Sequence, residues 1–196
     1  MSDDAVLLQR FVETFELFDD PRIGQVIVVD GDVTPLLGHP WDADGWSEWR
    51  PIGAELRPDS LQELYARIPG PLPPLYEQLI LSYRWAEIDV GLVRLLANLP
   101  PDLNGLTAAI TRDHGLFEAL APVRCVQFAR GPDMDYDPVC FDLRNRLGDG
   151  DCPVMKFDHE EILCNHRLVE VEVVAPSFRQ LVELVIANSP NKAGAP

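Results

Sequence analysis

Three short apolar runs separated by acidic turns stand out in the second half of the chain. The runs cover residues 123–128, 138–143 and 153–157, and Gly, Pro and Asp fill the turns between them. Apolar and β-branched runs of this length, bounded by such turn residues, predict an antiparallel meander. We therefore expect the three runs to be adjacent strands of one sheet.

Apolar residues at helical spacing predict helices on both sides of this meander. One apolar stripe predicts a helix over residues 3–18 and consists of Leu8, Phe11, Val12, Phe15 and Phe18. The same periodicity predicts further helices over 60–68, 73–85, 104–120 and 177–188. Pro73-Pro74 suits a first helical turn, where no N–H partner is needed.

Two of these helices begin with the spacing of a capping box. Ser60 is followed by Glu63, and Ser177 is followed by Gln180. In such a box each side chain satisfies a free backbone N–H of the first turn. We therefore expect both serines to be helix N-caps.

Weaker strand patterns occupy residues 25–29, 91–96 and 168–174. The last of these alternates apolar residues with Glu, as a half-solvated strand does. The stretch 34–57 shows no clear period but carries Trp41, Trp46 and Trp49. Since most tryptophans are largely buried, we expect these three to pack on the core of their own domain.

The order of the elements indicates the fold class. Helices come first, strands follow, and one helix closes the chain, which predicts an α+β domain with helices packed on one face of a central, mainly antiparallel sheet. The length of 196 residues suits one domain. We expect this domain to span 1–188, with a disordered tail over 189–196 that is rich in Pro, Gly and Ala.

Charge restricts the partners of this domain. Asp and Glu number 32 against 16 Lys and Arg, which gives a net charge of -16. Such a chain repels nucleic acid and anionic membranes, so a partner selected by charge is basic. The alternative is that acidity confers only solubility.

The compartment is expected to be the cytoplasm. The first residues are acidic and do not form a secretory signal, and no apolar run approaches the roughly 20 residues that span a bilayer. Four cysteines at 125, 140, 152 and 164 form no Cys-x-x-Cys pair. We expect reduced thiols, with Cys125, Cys140 and Cys152 buried on or beside the sheet.

The sequence motifs for metal sites and catalytic sites are incomplete in this chain. Asp133, Asp135 and Asp137 have the spacing that opens a calcium loop, but Pro138 replaces the required Gly and Arg144 the required Glu. Zinc needs about four N or S ligands, and the region that follows His159 supplies two, Cys164 and His166. No local motif selects a Cys/His nucleophilic pair, so we expect no metal, no cofactor and no catalytic residue.

Protein binding is the function that we expect for the meander. Between residues 130 and 161 there are nine acids and four bases. We predict that the partner contacts an acidic surface formed by Asp133, Asp135, Tyr136, Asp137 and Asp142. Tyr136 would be an aromatic anchor of the kind enriched at binding hot spots. A solvated acidic turn with the interface elsewhere is the alternative.

The order of the motifs resembles the SUKH superfamily, which joins fungal cell-wall-synthesis regulators of the Smi/Knr type with many bacterial proteins. The similar pieces are Pro-Ile-Gly at 51–53, Leu-Pro-Pro-Leu-Tyr at 72–76, the strand–turn–strand 128–143, Pro-Val with Asp-His in 153–159, and Ser-Phe at 177–178. Together they extend over residues 50–188. The resemblance implies an α+β fold without enzyme activity.

Bacterial members of this superfamily are often immunity proteins that bind and neutralise toxins, many of them nucleases. The resemblance therefore implies a protein partner such as a basic toxin domain, whereas it is the net charge of -16 that argues against nucleic acid and membranes. The alternatives are a regulatory or scaffold protein of the fungal type and an unrecognised Cys/His hydrolase.

Overall fold

The computed structural model describes residues 2–18, 22–25 and 32–190. Its helices are α1 (Asp3–Glu13), α2 (Phe15–Phe18), α3 (Leu61–Tyr65), α4 (Pro74–Ser82), α5 (Asn104–Thr111), α6 (His114–Leu120), α7 (His159–Asn165) and α8 (Phe178–Asn188). Its strands are β1 (Arg22–Gly24), β2 (Trp46–Glu48), β3 (Ile52–Gly53), β4 (Tyr83–Arg84), β5 (Ile88–Asp89), β6 (Arg94–Leu95), β7 (Cys125–Arg130), β8 (Pro138–Asp142), β9 (Val154–Phe157) and β10 (Glu170–Ala175). In this described part of the chain, no helix is both long and apolar enough to cross a bilayer.

A six-stranded antiparallel sheet lies at the centre of the fold. Its strand order is β10-β9-β8-β7-β6-β5, and two small two-stranded sheets pair β1 with β2 and β3 with β4. The predicted meander is confirmed, since β7, β8 and β9 are consecutive antiparallel neighbours. The α+β class with a central sheet is therefore confirmed.

Helices cover both faces of this sheet, whereas the sequence suggested one. Val139 and Phe141 of β8 belong to the main core, which they share with α1, α4 and α8. Cys140 lies between them and belongs to a second core, which α6 and α7 help to form. All five residues of β8 are buried, because successive strand residues point to opposite faces and both faces are covered.

Four aromatic rings occupy the centre of the main core. Phe128 of β7 and Phe141 of β8 stack with ring centroids 4.0 Å apart. Tyr76 of α4 and Phe178 of α8 meet edge-on, at 5.2 Å. Each ring also contacts both members of the other pair. This cluster therefore joins the meander to two helices that are distant in sequence.

Two long helical predictions are each interrupted. The stripe over 3–18 is buried from Leu8 to Phe15, but α1 ends at Glu13 because Thr14 makes a tight turn. The Thr14 N–H and hydroxyl both donate to the Phe11 carbonyl, at 3.0 and 2.6 Å. Residues 104–120 form α5 and α6, because Asp113 begins a new helix by accepting the Leu116 N–H at 3.1 Å.

Helix α4 ends at Ser82 rather than near residue 85. Arg84 is in an extended strand and is 1% exposed, and its Nη1 donates to the Ile80 carbonyl at 2.5 Å. Asn98 donates to the same carbonyl at 3.1 Å. These two buried side chains satisfy a carbonyl that a longer helix would have bonded internally.

One of the two predicted capping boxes supplies a cap. Ser177 accepts the Gln180 N–H at 3.1 Å, as expected. Ser60 occupies the N-cap position of α3 but does not form the predicted capping box, because it already has helical backbone angles at the end of a 3-10 turn, Pro58–Ser60. Its hydroxyl makes no capping bond within the described residues, and α3 covers only Leu61–Tyr65.

Two of the three weaker strand predictions coincide with strands of the structure. Residues 91–96 contain the short strand β6, and 168–174 overlaps β10. The first four residues of β10 are exposed, so it is not half-buried, because it is an edge strand of the sheet. The prediction over 25–29 falls mostly on residues 26–31, and that for the tail on 191–196, which lie outside the described residues.

The three tryptophans do not share one environment. Trp49 is 4% exposed and packs in the main core, and Trp41 is half-buried against it. Trp46 of β2 is 44% exposed, so the prediction of burial is wrong for this residue.

Candidate functional site

The candidate site is the connection between β7 and β8, residues 131–137, which we name the acidic turn. The Gly131 N–H donates to the Asp137 carbonyl at 3.0 Å, and the Asp135 N–H donates to the Pro132 carbonyl at 3.1 Å. The Asp137 N–H donates to the Asp135 carboxylate at 2.9 Å. The acidic turn is therefore held in shape by its own hydrogen bonds.

A neighbouring strand fixes the tip of the acidic turn. Asp133 has a left-handed backbone conformation with φ 55°. Its N–H donates to the Asp89 carboxylate of β5 at 2.7 Å. Asp89 also lies 3.8 Å from the Arg94 guanidinium. Sequence reasoning missed Asp89, since this contact joins residues 44 positions apart.

Four of the five predicted contact residues belong to the acidic turn, and they divide into two pairs. Asp133 and Tyr136 are exposed, with Tyr136 at 54%. Asp135 and Asp137 are half-buried, and each carboxylate faces a cation or a potential cation. Lys156 Nζ lies 3.4 Å from Asp135, and His159 Nδ1 lies 2.7 Å from Asp137. The exposed pair is thus the part of the predicted surface that is open to a partner.

Asp142, the fifth predicted contact residue, is part of the scaffold. It is 2% exposed, so it does not belong to the surface that the sequence suggested. Its carboxylate accepts the backbone N–H of Arg144 at 3.1 Å and the Asn145 amide at 2.8 Å. It also accepts two bonds from the Arg144 guanidinium, at 2.7 and 3.0 Å.

These bonds set the ionisation of Asp142. Burial alone would raise the pKa of its carboxyl group, but the hydrogen bonds from Arg144 and Asn145 outweigh burial and lower that pKa below its usual value. The Asp142 carboxylate therefore closes the turn after β8 in its charged form.

Met134 is a surface residue that the sequence analysis overlooked. It is 74% exposed, the highest value among the exposed large hydrophobic side chains of the described residues. The sequence did contain a signal of this exposure: Met134 lies among aspartates and belongs to no apolar stripe that would face the core. Met134 and Tyr136 are thus the two exposed large apolar side chains of the acidic turn, and the Tyr136 ring lies edge-on to His159, with ring centroids 6.3 Å apart.

The aspartates of the acidic turn do not converge on one point as calcium ligands would. Within the described residues, the group close enough to share an ion is Asp137, Asp158 and His159, whose ligand atoms lie within 4.8 Å of one another. Asp158 caps α7 by accepting the Glu161 N–H at 2.9 Å, and Asp137 accepts the His159 N–H at 2.9 Å. Local hydrogen bonds therefore account for this cluster. Cys164 and His166 are both exposed and lie outside it.

Three cysteines are buried and reduced, as predicted. Burial raises the pKa of Cys125 to about 11 and that of Cys152 to about 12, and it places the pKa of Cys140 well above the usual value. Cys164 is exposed. A thiol nucleophile reacts as the thiolate, so the three buried cysteines are inert at neutral pH.

Comparison with known proteins gives no assignment. No family model matches the chain, and no curated protein matches it. Membership of the SUKH superfamily therefore stays a prediction based on the order of the sequence motifs.

Proposed function

We propose that this protein is a non-enzymatic binding module that recognises a basic protein through the tip of the acidic turn, Asp133, Met134 and Tyr136. The observation that carries the proposal is the exposure of two large apolar side chains on a turn braced by hydrogen bonds. A partner that covers these side chains removes apolar area from water, which favours binding.

The energetic contribution of this tip is substantial for so small a surface. Burying a large apolar side chain contributes about 1.5–3 kcal/mol, and Met134 and Tyr136 each have half or more of their area available. Tyr and Met are enriched at the centres of interfaces. The hydrogen bonds that hold the acidic turn reduce the loss of conformational entropy on binding.

Charge supports a basic partner. The net charge of -16 attracts cationic surfaces over long distances and speeds their association. Asp133 is exposed on the tip itself, so it would act at close range. Asp135 and Asp137 contribute less, because Lys156 and His159 already lie beside them.

The class of partner follows from the SUKH resemblance. We propose a basic toxin domain that the protein neutralises by direct binding, and we place this action in the cytoplasm, where reduced thiols persist. A regulatory or scaffold role of the fungal type would use a different partner. The three buried thiols have raised pKa values, so a Cys/His hydrolase would have to use the exposed Cys164.

Site-specific photo-crosslinking in the native cell tests this proposal. A photoreactive amino acid replaces Met134 in one variant and Leu147 in a control variant. Leu147 is 44% exposed and lies in the other turn of the meander, so it matches Met134 in character but not in place. We expect position 134 to capture one basic protein, identified by mass spectrometry, that position 147 does not capture. Equal capture at both positions, or an acidic product, would contradict the proposal.

A further inference from the structure

A cavity of about 560 Å³ opens beside the acidic turn. Gln127 and Arg130 of β7 line it, together with Arg112 from the α5–α6 connection, His114 of α6 and His159 of α7. Gln127 is 7% exposed, and its amide donates to the Ala129 carbonyl at 3.2 Å, which fixes its orientation. The cavity thus has a rigid strand on one side and two helices around it.

Arg130 is in an electrostatically unfavourable position. Its partner directly opposite on β6 is Arg94, and like charges at such positions destabilise a sheet. Arg94 has Asp89 at 3.8 Å. The half-buried Arg130 side chain has no hydrogen bond or ion pair to any residue that the structure describes. This is unusual in a chain with twice as many acids as bases.

Within the described residues, no carboxylate lies within ion-pair distance of the Arg130 guanidinium. Asp113 lines the cavity and contributes a negative charge there, and its carboxylate caps α6 by accepting the Leu116 N–H. Asp137 lies against His159, whose backbone N–H and Nδ1 are 2.9 and 2.7 Å from its carboxylate. His114 lies 3.3 Å from the Glu118 carboxylate, and Arg112 has an interaction partner of its own. Among the basic side chains that line the cavity, Arg130 is therefore the one that the described residues leave available to a ligand.

We propose that this cavity binds a small organic anion whose phosphate or carboxylate group contacts Arg130. A guanidinium binds either group through two parallel hydrogen bonds. The volume lies in the usual range for small-ligand sites, about 300–1,000 Å³. Tyr136 and Leu163 also line the cavity, and Leu163 is 42% exposed, so an apolar or aromatic part of the ligand has a surface to cover.

Four probes separate the parts of this proposal: inorganic phosphate, phenyl phosphate, acetate and benzoate. Each is titrated into the isolated full chain, and binding is followed by backbone amide chemical shifts. We expect phenyl phosphate or benzoate to bind more tightly than the matching anion without a ring. The shifts should concentrate on residues that line the cavity. The tighter of the two series identifies the anionic group.

Variants at Arg130 decide whether the cavity is responsible. Arg130→Gln should lower the affinity for the tightest-binding probe at least ten-fold. Arg130→Lys should give an intermediate loss, because Lys keeps the positive charge but lacks the two parallel N–H donors of the guanidinium. Arg57→Gln is the control, since Arg57 is exposed on another part of the chain. An unchanged amide spectrum away from the cavity shows that each variant is folded.

Three results would overturn the proposal. The first is the absence of binding by all four probes up to about 10 mM, which corresponds to less than about 3 kcal/mol of affinity. The second is equal binding by the Arg130 and Arg57 variants. The third is a set of shifts spread over other basic residues. None of these outcomes depends on a protein partner, so they leave the role of the acidic-turn tip to its own test.

Discussion

Replacing Asp142 by Ala should unfold the protein more easily without removing a contact to any partner. The carboxylate accepts one backbone N–H, one Asn145 amide bond and two bonds from Arg144. The two uncharged donors contribute about 1 kcal/mol each. The Arg144 side chain is 35% exposed, so solvent screening limits its ion pair to about 0.5–1 kcal/mol.

The expected loss is therefore about 2–3 kcal/mol in the free energy of unfolding, measured by urea denaturation. Asp142→Asn keeps one acceptor oxygen and the size, so it should lose about half as much. Asp133→Asn is the control, because Asp133 is exposed and Asn tolerates its left-handed backbone. This control should stay within about 0.5 kcal/mol of the parent.

The pH dependence gives an independent check. The pKa of Asp142 is lowered in the folded protein, so its stabilising effect is present above the unfolded pKa of about 4. The effect is lost as the pH falls through the lowered folded pKa. The stability gap between the parent and Asp142→Asn should thus shrink below about pH 4. A stable Asp142→Ala variant that binds its partner weakly would refute the scaffold role.

Three further predictions concern the frame that holds the site. Asp151 accepts the Phe178 and Arg179 N–H groups at 3.0 and 3.1 Å, so Asp151→Ala should lose about 2–4 kcal/mol in urea denaturation; a loss below 1 kcal/mol would contradict this. Phe178→Ala removes one ring of the aromatic cluster and should lose about 3–5 kcal/mol in thermal unfolding, and a neutral change would disprove the packing. Cys164 should be the one thiol that a maleimide labels in the native protein, and native labelling of Cys140 would contradict its burial.

Local signals were enough to predict the meander and the closing helix. Runs such as 138–143 combine apolar residues with Pro and Asp near their ends. The turns of Gly and Asp between the runs are short, and a short turn can connect two strands only if they are antiparallel neighbours. Ser177 could be recognised because the capping spacing is followed by a clear apolar stripe. Ser60 has the same spacing, but the preceding Pro58 begins a 3-10 turn that brings Ser60 into the helical region.

The candidate site was harder to predict, because exposure depends on tertiary contacts. Asp142 ends an apolar run that follows the acidic turn, and the turn after β8 folds Arg144 and Asn145 over it. The hydrogen bond from the Asp133 N–H to Asp89 joins the acidic turn to β5, which is distant along the chain. Composition favoured an acidic surface, but it gave no means of separating solvent-facing aspartates from those already paired.

Binding kinetics of matched turn variants test the central claim most directly. The protein captured at position 134 is immobilised, and association and dissociation rates are measured for the parent and each variant at low and moderate salt. The acidic-turn variants are Tyr136→Ala and Asp133→Asn. The controls in the other turn are Leu147→Ala and Asp149→Asn, both at exposed positions.

We predict that Tyr136→Ala speeds dissociation at least ten-fold, because a loss of about 1.4 kcal/mol or more is typical of a hot-spot residue. Asp133→Asn should slow association at low salt, and the difference should fade as salt rises. The two control variants should keep both rates within about two-fold of the parent. Unchanged rates for both acidic-turn variants, or equal effects in the control turn, would contradict recognition through the acidic turn.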